Sequence, residues 1–427
     1  MKKNYTLLCL YFFSISITCL HAQTDTSRWM NGWTNFQPNL ERYFEADTKI
    51  PSMITNDLTL TKNKVYLMSG NVYVANGATL TIEPGTTIRC DHTNPASLLV
   101  AKGAKLIAEG SKFEPIVFTS NKPAKSRQTG DWGGIVILGN GKLNTGSGVA
   151  KVEGNFAPQY ALYGGDNPEE ETAIIKYVRI EYPGRKINEA KELNGLTLCG
   201  IGSKTILENI MISYSADDAF EWFGGQGDFS NLISYKSKDD DFDITNGFQG
   251  SLTHILAVRH PYISDVSGSY AIEIDGYTSE NFKPMDEHLS SLKVSYATII
   301  NLANQESTPF IKAAISAKSH AYVSVEYSSI SGFAHVIKLD QSYVDSSDIV
   351  SKISLQKNLF NISDQGLNYR KNTIYHPNGF FASNVFTKGF SNPEDLYIAP
   401  LDDARPSFVL KSTEMKNNLG QPISLSH

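Results

Sequence analysis

The hydrophobic residues of this chain recur with a period of two, in short runs that glycine, asparagine and proline separate. Val72-Tyr73-Val74 and Ile116-Val117-Phe118 are two such runs, built from β-branched and aromatic residues. Alternation of this period is typical of β-strands that bury one face. Turn residues such as Asn76-Gly77 and Pro84-Gly85 end the runs at short intervals. The pattern from residue 57 onward therefore predicts an all-β chain of short strands and tight turns.

A repeat of 22 residues joins two neighbouring parts of the chain without a gap. Asp217-Asp218 precedes Phe220-Glu221-Trp222, and one repeat later Asp239-Asp240 precedes Phe242-Asp243-Ile244. A unit of this length cannot bury its own apolar face, whereas stacked copies bury theirs against one another. The repeat therefore predicts a single-stranded right-handed parallel β-helix, in which one chain winds into coils roughly 4.8 Å apart.

Four phrases of the sequence resemble a family of secreted bacterial proteins. They are GATLTIEPGT at 77–86, GDWGGIVILG at 130–139, ELNGLTL at 192–198 and SADDAFEWFGG at 215–225. Together they resemble right-handed parallel β-helix proteins of the pectin-lyase-like superfamily, over most of residues 29–260. The resemblance implies the β-helix fold and export from the cell, and it implies no particular reaction.

The chain divides into four predicted regions: a signal peptide at 1–22, an N-terminal cap at 23–56, the β-helix at 57–400, and a C-terminal cap or tail at 401–427. Lys2 and Lys3 precede an apolar run, and cleavage is predicted after Ala22. No apolar run reaches the about 20 residues that a membrane-spanning helix needs, so no transmembrane segment is predicted. Trp33 and Phe36 are predicted to cover the open end of the solenoid. We expect the protein in the periplasm, on the outer-membrane surface or outside the cell.

Charge and cysteine content narrow the classes of partner. Without residues 1–22 the chain has 36 basic and 44 acidic side chains, a net charge of −8. Such a balance argues against a nucleic-acid partner, which needs a basic face. Cys90 and Cys199 remain after signal removal. A disulfide between them is permitted in an exported protein, and two buried thiols are the favoured alternative.

Stacked coils predict a column of charged side chains on one outer face. The triplets that we align are 220–222, 242–244, 272–274, 311–313 and 337–339. Since side chains alternate between faces along a strand, the middle residues point outward; they are Glu221, Asp243, Glu273, Lys312 and Lys338. Two like charges about 4.8 Å apart repel by about 0.9 kcal/mol in water and by roughly 3.5 kcal/mol at an effective dielectric constant of 20. A covered column therefore needs a counter-ion or raised pKa values.

Calcium would satisfy such a column, because it takes six to eight oxygen ligands at about 2.3–2.6 Å. The predicted calcium ligands are Glu221, Asp241, Asp243 and Glu273. In the leading hypothesis, Glu221, Asp243 and Glu273 also bind an acidic polysaccharide, and calcium neutralises a uronate carboxylate to acidify its α-proton. Lys312 then removes that proton, and Lys338 binds the substrate anion. This arrangement resembles pectate-lyase-type sites by geometry alone.

Three alternatives stay open beside the lyase, and one of them is binding of an ion or a glycan without chemistry. Two carboxyl groups of the column, such as Glu221 and Asp243, have the spacing for glycoside hydrolysis. The column can also be a solvated charged face of a non-catalytic surface or periplasmic scaffold, which serves an outer-membrane transporter in an uptake system. The turn residues Asp217, Asp218, Asp239 and Asp240 are predicted to cap backbone N–H groups, since aspartate does so in turns.

Overall fold

The structure is a computed structural model that describes residues 29–188, 191–265, 268–278, 283–303, 311–363, 366–369, 373–374, 379–387, 392–411, 415–416 and 422–423. The predicted signal peptide and the cleavage site at Ala22 lie outside these residues. Within them, no helix combines the length and the apolar character that crossing a membrane requires.

Three parallel β-sheets run along a solenoid, and each coil supplies one strand to each sheet. Sheet 1 contains Met53–Ile54, Asn71–Val74, Ser97–Val100, Ile135–Leu138, Leu196–Ile201, the start of Phe220–Tyr235, Phe242–Thr245, Ile272–Asp275, Ala313–Lys318, His335–Leu339 and Leu367–Tyr369. Sheet 2 contains Leu58–Leu60, Thr79–Ile82, Lys105–Glu109, the first parts of Ala173–Glu181 and Ile206–Ser213, the middle of Phe220–Tyr235, Gln249–Thr253, Ser291–Ser295, Tyr322–Glu326 and Ile353–Gln356.

Sheet 3 completes each coil. It contains Thr48–Lys49, Val65–Met68, Thr87–Cys90, Ile116–Ser120, the last parts of Ala173–Glu181, Ile206–Ser213 and Phe220–Tyr235, then Leu256–Arg259, Thr298–Asn301, Ser329–Phe333, Leu359–Ile362 and Val385–Phe386. This topology confirms the predicted parallel β-helix.

Short elements outside the coils are hairpins and brief helices. The antiparallel pairs are Ala150–Lys151 with Leu162–Tyr163, Lys186–Asn188 with Lys191–Glu192, Leu367–Tyr369 with Thr373–Ile374, Tyr397–Ala399 with Ser407–Leu410, and Met415–Lys416 with Pro422–Ile423. The α-helices are Ser346–Lys352 and Pro393–Leu396, and the 3-10 helices are Pro38–Leu40, Pro158–Tyr160 and Asp286–His288.

The core fills the inside of the coils with stacked aliphatic and aromatic side chains. Phe220 lies on Phe242 of the next coil, with ring centroids 5.2 Å apart, and Trp222 lies on the same stack. All three side chains are fully buried. Full burial of one such side chain stabilises a fold by roughly 1.5–3 kcal/mol. The stacked aromatic side chains therefore stabilise the packing of each coil on the next.

The two ends of the described chain pack along the flank of the solenoid. Phe36 contacts Tyr235 on the outer face of sheet 3 at 5.0 Å between ring centroids, and it also contacts Phe408. Trp33 contacts Tyr177 of the same sheet. The aromatic residues of the N-terminal region therefore cover a side of the solenoid, whereas the sequence predicted that they cover its open end. The physical reason is that the outer face of sheet 3 is itself apolar and needs burial.

The parallel coils also begin earlier than the predicted boundary at residue 57. Thr48–Lys49 already pairs with Tyr66 and Leu67, and the last described parallel strand is Val385–Phe386. Cys90 and Cys199 are both free and buried, which confirms the prediction of two buried thiols.

An excursion between Leu138 and Thr172 positions the candidate site. Its residues Leu143, Val152 and Phe156 pack on outward side chains of sheet 1, such as Val136. The outer face of sheet 1 is therefore apolar and covered in its early coils. It becomes polar from Thr197 onward, beside the edge of the excursion.

Candidate functional site

Glu221, Asp243 and Glu273 lie on successive coils of sheet 1, and we call them the acidic column. Glu221 is in register with Asp243, and Asp243 is in register with Glu273. This register confirms the stacking that the gapless repeat predicted, and all three side chains are partly buried.

The next position of the column is Ser316, so the placement of Lys312 was wrong. Glu273 is in register with Ser316, and Lys312 is an exposed residue just before the strand Ala313–Lys318. Residues 311–313 and residues 315–317 both alternate apolar, polar and apolar side chains. In the structure, residues 315–317 are the ones in register with residues 272–274. The basic group that reaches the column is instead Lys318, whose Nζ lies 2.5 Å from Glu273 Oε2.

Lys338 does lie on the column, in register with Ser316. Its Nζ donates a hydrogen bond of 2.7 Å to the Tyr270 hydroxyl and lies 5.3 Å from the centre of that ring. Ser316 therefore separates Lys338 from the last carboxylate of the column, Glu273.

Asp241 is excluded from any ion site on the outer face. Its carboxylate is fully buried and lies 2.9 Å from the guanidinium of Arg259, which is buried as well. Ser234 donates a second hydrogen bond to it. The prediction of Asp241 as a calcium ligand is thus wrong, because this residue precedes its strand and turns away from the column.

Two of the four turn aspartates, Asp218 and Asp240, cap backbone groups of the next coil, as predicted. Asp218 accepts a 2.8 Å hydrogen bond from the backbone N–H of Asp240, and Asp240 accepts one from Tyr270 N–H. Each cap therefore fixes the turn of the following coil. The same geometry brings these aspartates to the acidic column, which the sequence reasoning missed.

Three groups of carboxyl oxygens result, and within each group the oxygens lie within 4.8 Å of one another. The groups are Asp217 with Asp218 and Asp239, Asp218 with Glu221 and Asp243, and Asp240 with Asp243 and Glu273. The gapless offset of 22 residues places Asp217 one coil from Asp239 and was a usable signal. The offset alone does not show that the turn folds toward the acidic column.

Asp217, Asp218, Glu221 and Asp239 form the floor of a cleft of about 450 Å³, which we call the acidic cleft. Its lining is Val152, Glu153, Lys186, Glu192, Leu193, Asn194, Thr197, Asp217, Asp218, Glu221, Phe223, Asp239 and Asp265. The hairpin that contains Lys186 and the excursion that contains Val152 form its walls. Seven carboxyl groups and one lysine thus line a single concave surface.

Two aspartates of the acidic cleft titrate near neutral pH. Burial, together with the charges of Asp239 and Glu192, raises the pKa of Asp217 to about 7. Burial also raises the pKa of Asp239 to about 6, although a hydrogen bond from Ser269 opposes the shift. Because the two groups are neighbours and share a field, they behave as one pair that holds one proton around neutral pH.

Glu221 and Asp243 form a second protonated pair. Burial raises the pKa of both carboxyl groups well above the ordinary range; the charge of Asp243 adds to this at Glu221, and that of Glu273 at Asp243. The Asn194 side-chain amide donates to Glu221 and favours its charged form. Ionisation of both carboxyl groups in this contact is unfavourable, because the two negative charges repel each other.

The acidic cleft fits a calcium ion by its donor set. Calcium takes several carboxylate oxygens, and one oxygen each of Asp217, Asp218 and Asp239 lies within 4.8 Å of the others, so all three residues can reach one ion. Asp239 Oδ1 is buried, and no described donor lies within hydrogen-bonding distance of it. A cation at this position would satisfy that oxygen.

The lysines around the cleft are engaged with acids. Lys186 lies 3.0 Å from Glu192, Lys238 lies 3.2 Å from Asp265, and Lys318 contacts Glu273. Burial lowers the pKa of Lys318, but the charges of Glu273 and its acidic neighbours outweigh burial and hold that pKa above the ordinary value. A lysine held in this way is a poor general base.

Comparison with family models identifies the family of this chain. A family model described as a pectate-lyase like beta helix domain matches residues 52–393. The chain is similar to the enzymatically active domain of tailspike protein 2 from bacteriophage CBA120, with a TM-score of 0.33 and 10% identity over 79% of this chain and 42% of that one. It is also similar to the Agl-KA catalytic domain, with a TM-score of 0.31 and 14% identity over 74% of this chain and 63% of that one. The chain thus spans less than two thirds of either structure. No curated protein sequence matches it.

Proposed function

The chain belongs to the pectate-lyase-like β-helix family, and we propose that its acidic cleft binds a polysaccharide and hydrolyses glycosidic bonds. The observation that supports the proposal best is the pair of Asp217 and Asp239 on the cleft floor, with pKa values of about 7 and about 6. Near neutral pH this pair offers one proton donor and one ionised carboxylate, which is what glycosidic cleavage needs.

The roles follow from the order of the two pKa values. Asp217 donates its proton to the glycosidic oxygen while the bond from that oxygen to the anomeric carbon breaks. Asp239, ionised, attacks the anomeric carbon, which is the role of the second carboxyl group in a closely spaced pair; an oxygen of each residue lies within 4.8 Å of the other. Water then cleaves the resulting ester, and Asp217 recovers its proton from that water. Both carboxyl groups return to their starting protonation.

The charge of the cleft selects the substrate. The carboxyl groups of the cleft that stay ionised outweigh the single charge of Lys186 and repel a polyuronate in the absence of a cation. A neutral polysaccharide meets no such penalty, and Asn194, Thr197 and Phe223 offer hydrogen bonds and an apolar surface for its rings. We therefore propose a neutral glycan as the substrate of the metal-free protein.

Hydrolysis is preferred to lyase chemistry because of the lysines. A lyase needs an unprotonated base beside the substrate, and the basic groups around the acidic cleft are held in ion pairs with Glu192, Asp265 and Glu273. Lys312 lies off the column and has no role in this mechanism.

Reducing-end release from a panel of neutral polysaccharides, in excess chelator, tests the proposal. Asp217→Asn and Asp239→Asn should each lower the rate at least about 100-fold, which is the usual contribution of an acid or base. Asp228→Asn is the matched control, because Asp228 is an exposed aspartate whose partner is Ser251 on sheet 2. Release by wild type that all three variants retain would overturn the assignment.

A second candidate is calcium-dependent binding of an acidic polysaccharide, favoured by the buried, unpartnered Asp239 Oδ1. Asp217, Asp218 and Asp239 would hold the ion, and Glu221 with Asp243 offers an adjoining group. Bound calcium would supply positive charge that neutralises a uronate carboxylate. Calorimetric titration of calcium into wild type and into Asp239→Asn tests this without any activity measurement. Equal affinities would refute it.

We also propose that the protein is exported from the cytoplasm. The signal peptide that the sequence predicts at 1–22 supports export to the periplasm, the outer-membrane surface or the extracellular space. If neither hydrolysis nor calcium binding is found, the scaffold role beside an outer-membrane transporter becomes the favoured alternative. Fractionation of cells that express the full chain tests the location, and retention in the cytoplasm would contradict it.

A further inference from the structure

A second concave surface, on another face of the solenoid, has the opposite charge. It is a pocket of about 650 Å³ between the segment Leu40 to Glu45 and the loop Pro123 to Arg127, and we call it the basic pocket. Its charged lining residues are Arg42, Glu45, Arg89, Lys125 and Arg127. Four cations and one carboxylate thus line it, in a chain whose net charge is −6. It shares no lining residue with the acidic cleft.

The floor of the basic pocket holds two guanidinium groups that are almost entirely buried. Arg127 is 5% exposed and donates to the carbonyl oxygens of Pro38 and Glu41, at 2.7 and 3.0 Å. Its guanidinium carbon lies 4.9 Å from the centre of the Tyr43 ring. Carbonyl groups and an aromatic ring do not neutralise a full positive charge, and although Arg127 also favours the ionised form of the buried Glu181, it lines the pocket and contributes positive charge to it.

Arg89, 2% exposed, lies beside it. It donates to the Phe44 and Asn121 carbonyl oxygens and pairs with Glu45 at 3.2 Å. Glu45 is 88% exposed in its side chain, so solvent screens its charge. Two further acids act on Tyr43: Glu41 is exposed to solvent, and Glu181 is buried behind the pocket, where it accepts from Tyr43 and pairs with Arg179.

The rim supplies two further cations. Arg42 and Lys125 are exposed, and the described residues give neither side chain a hydrogen bond or an ion pair. The backbone N–H of Lys125 donates to Asn39, which ties the loop to the N-terminal segment and holds the two rim cations on one pocket.

An exposed aromatic ring lies next to the cations of the basic pocket. Phe44 is 85% exposed and follows Tyr43 of the pocket wall, although large apolar side chains are usually buried. A ring in this position offers its face to the apolar side of a sugar ring whose carboxylate enters the pocket. A membrane surface fits less well, because a flat array of headgroups does not reach guanidinium groups on the floor of a concave site.

We infer that the basic pocket is a binding site for an acidic saccharide, with a uronate carboxylate held by Arg42, Lys125 and the field of Arg127. The site is separate from the acidic cleft and does not depend on the proposed hydrolysis. Acidic glycan therefore binds where the charge is complementary, without a cation.

Calorimetric titration of oligogalacturonate into the full chain, in excess chelator, tests the inference. Removal of one charge-assisted contact costs roughly tenfold in affinity, so Arg42→Gln with Lys125→Gln should weaken binding by about 100-fold. Phe44→Ala should weaken it by a smaller factor. Lys64→Gln is the matched control, since Lys64 is exposed and lies outside the pocket. The fully methyl-esterified oligomer should not bind.

Asp217→Asn keeps this inference separate from the proposed function. Unchanged oligogalacturonate binding by that variant supports a site outside the acidic cleft, whereas loss of binding would place the saccharide in the cleft and overturn the inference. Binding that the Arg42 and Lys125 changes leave intact would overturn it too. So would binding of inorganic phosphate or of anionic phosphatidylglycerol vesicles in the absence of any oligogalacturonate binding.

Discussion

Replacement of Asp217 by asparagine should stabilise the protein at high pH, because it removes a carboxylate that folding forces into a crowded site. The pKa of Asp217 rises from an ordinary 3.8 to about 7 in the folded protein. The folded state therefore holds a proton that the unfolded chain releases. Such a group supports folding below its unfolded pKa, and that support is lost as the pH rises through the folded pKa.

The size of the effect follows from the pKa difference, since one pKa unit corresponds to about 1.4 kcal/mol. Relative to low pH, the wild type loses about 1.5 kcal/mol of stability from this group at about pH 5 and about 4 kcal/mol at about pH 8. Asp217 also faces the solvent of the cleft, and Asp239 titrates with it, so part of this difference is screened or shared. The variant should gain about 1–2.5 kcal/mol over wild type between the two pH values.

Equilibrium unfolding in urea, followed by tryptophan fluorescence in excess chelator at about pH 5 and about pH 8, measures this difference. Asp228→Asn is the control, and it should change stability by less than about 0.5 kcal/mol at both pH values, as a surface substitution does. The reasoning is refuted if Asp217→Asn loses as much stability between the two pH values as the wild type does.

Three more predictions follow from the same geometry. The rate of hydrolysis should be bell-shaped in pH with its maximum between about 6 and about 7, from the pair Asp217 and Asp239; a rate that rises steadily to about pH 9 in a pH-rate series would contradict it. Millimolar calcium should raise the thermal midpoint of wild type and have less effect on Asp239→Asn, by differential scanning calorimetry; an equal rise in both would count against the ion site. Arg259→Met should destabilise the fold by about 3–5 kcal/mol in urea titrations, because it leaves Asp241 buried and unpaired. Asp241→Leu in the same chain should restore part of that loss. Unchanged stability of Arg259→Met alone would contradict the buried pair.

The column could be predicted as far as the repeat runs without a gap. Between Glu221 and Asp243 the offset is a fixed 22 residues, so alternation alone assigns the register. Beyond Glu273 the coils carry loops of unequal length, and two overlapping patterns, at 311–313 and 315–317, compete for one strand. Charge favoured the choice of Lys312, and packing of the strand Ala313–Lys318 decided for Ser316.

Asp241 shows where alternation stops being a guide. It has the same parity as Asp243, but it lies in the turn before the strand that begins at Phe242, and turn residues follow no two-residue period. A buried partner, Arg259, lies on a distant part of the sequence and could not be identified from local pattern.

The sequence contains a signal that the flank of the solenoid is covered, although alternation with a period of two does not reveal it. Ile210-Met211-Ile212 is apolar at three consecutive positions, and such a run indicates a strand that is buried on both faces. The structure places Ile210 and Ile212 in the core, and Met211 under the N-terminal segment. The run predicts that something covers sheet 3, while the identity of the cover depends on tertiary contacts.

The measurement that tests the central claim most directly is reducing-end release from neutral polysaccharides by the wild type and by Asp217→Asn, at about pH 6.5 and in excess chelator. Our account predicts release by the wild type from at least one neutral glycan, and a loss of at least about 100-fold in the variant. Release that Asp217→Asn leaves unchanged, or no release by the wild type from any glycan of the panel, would contradict it.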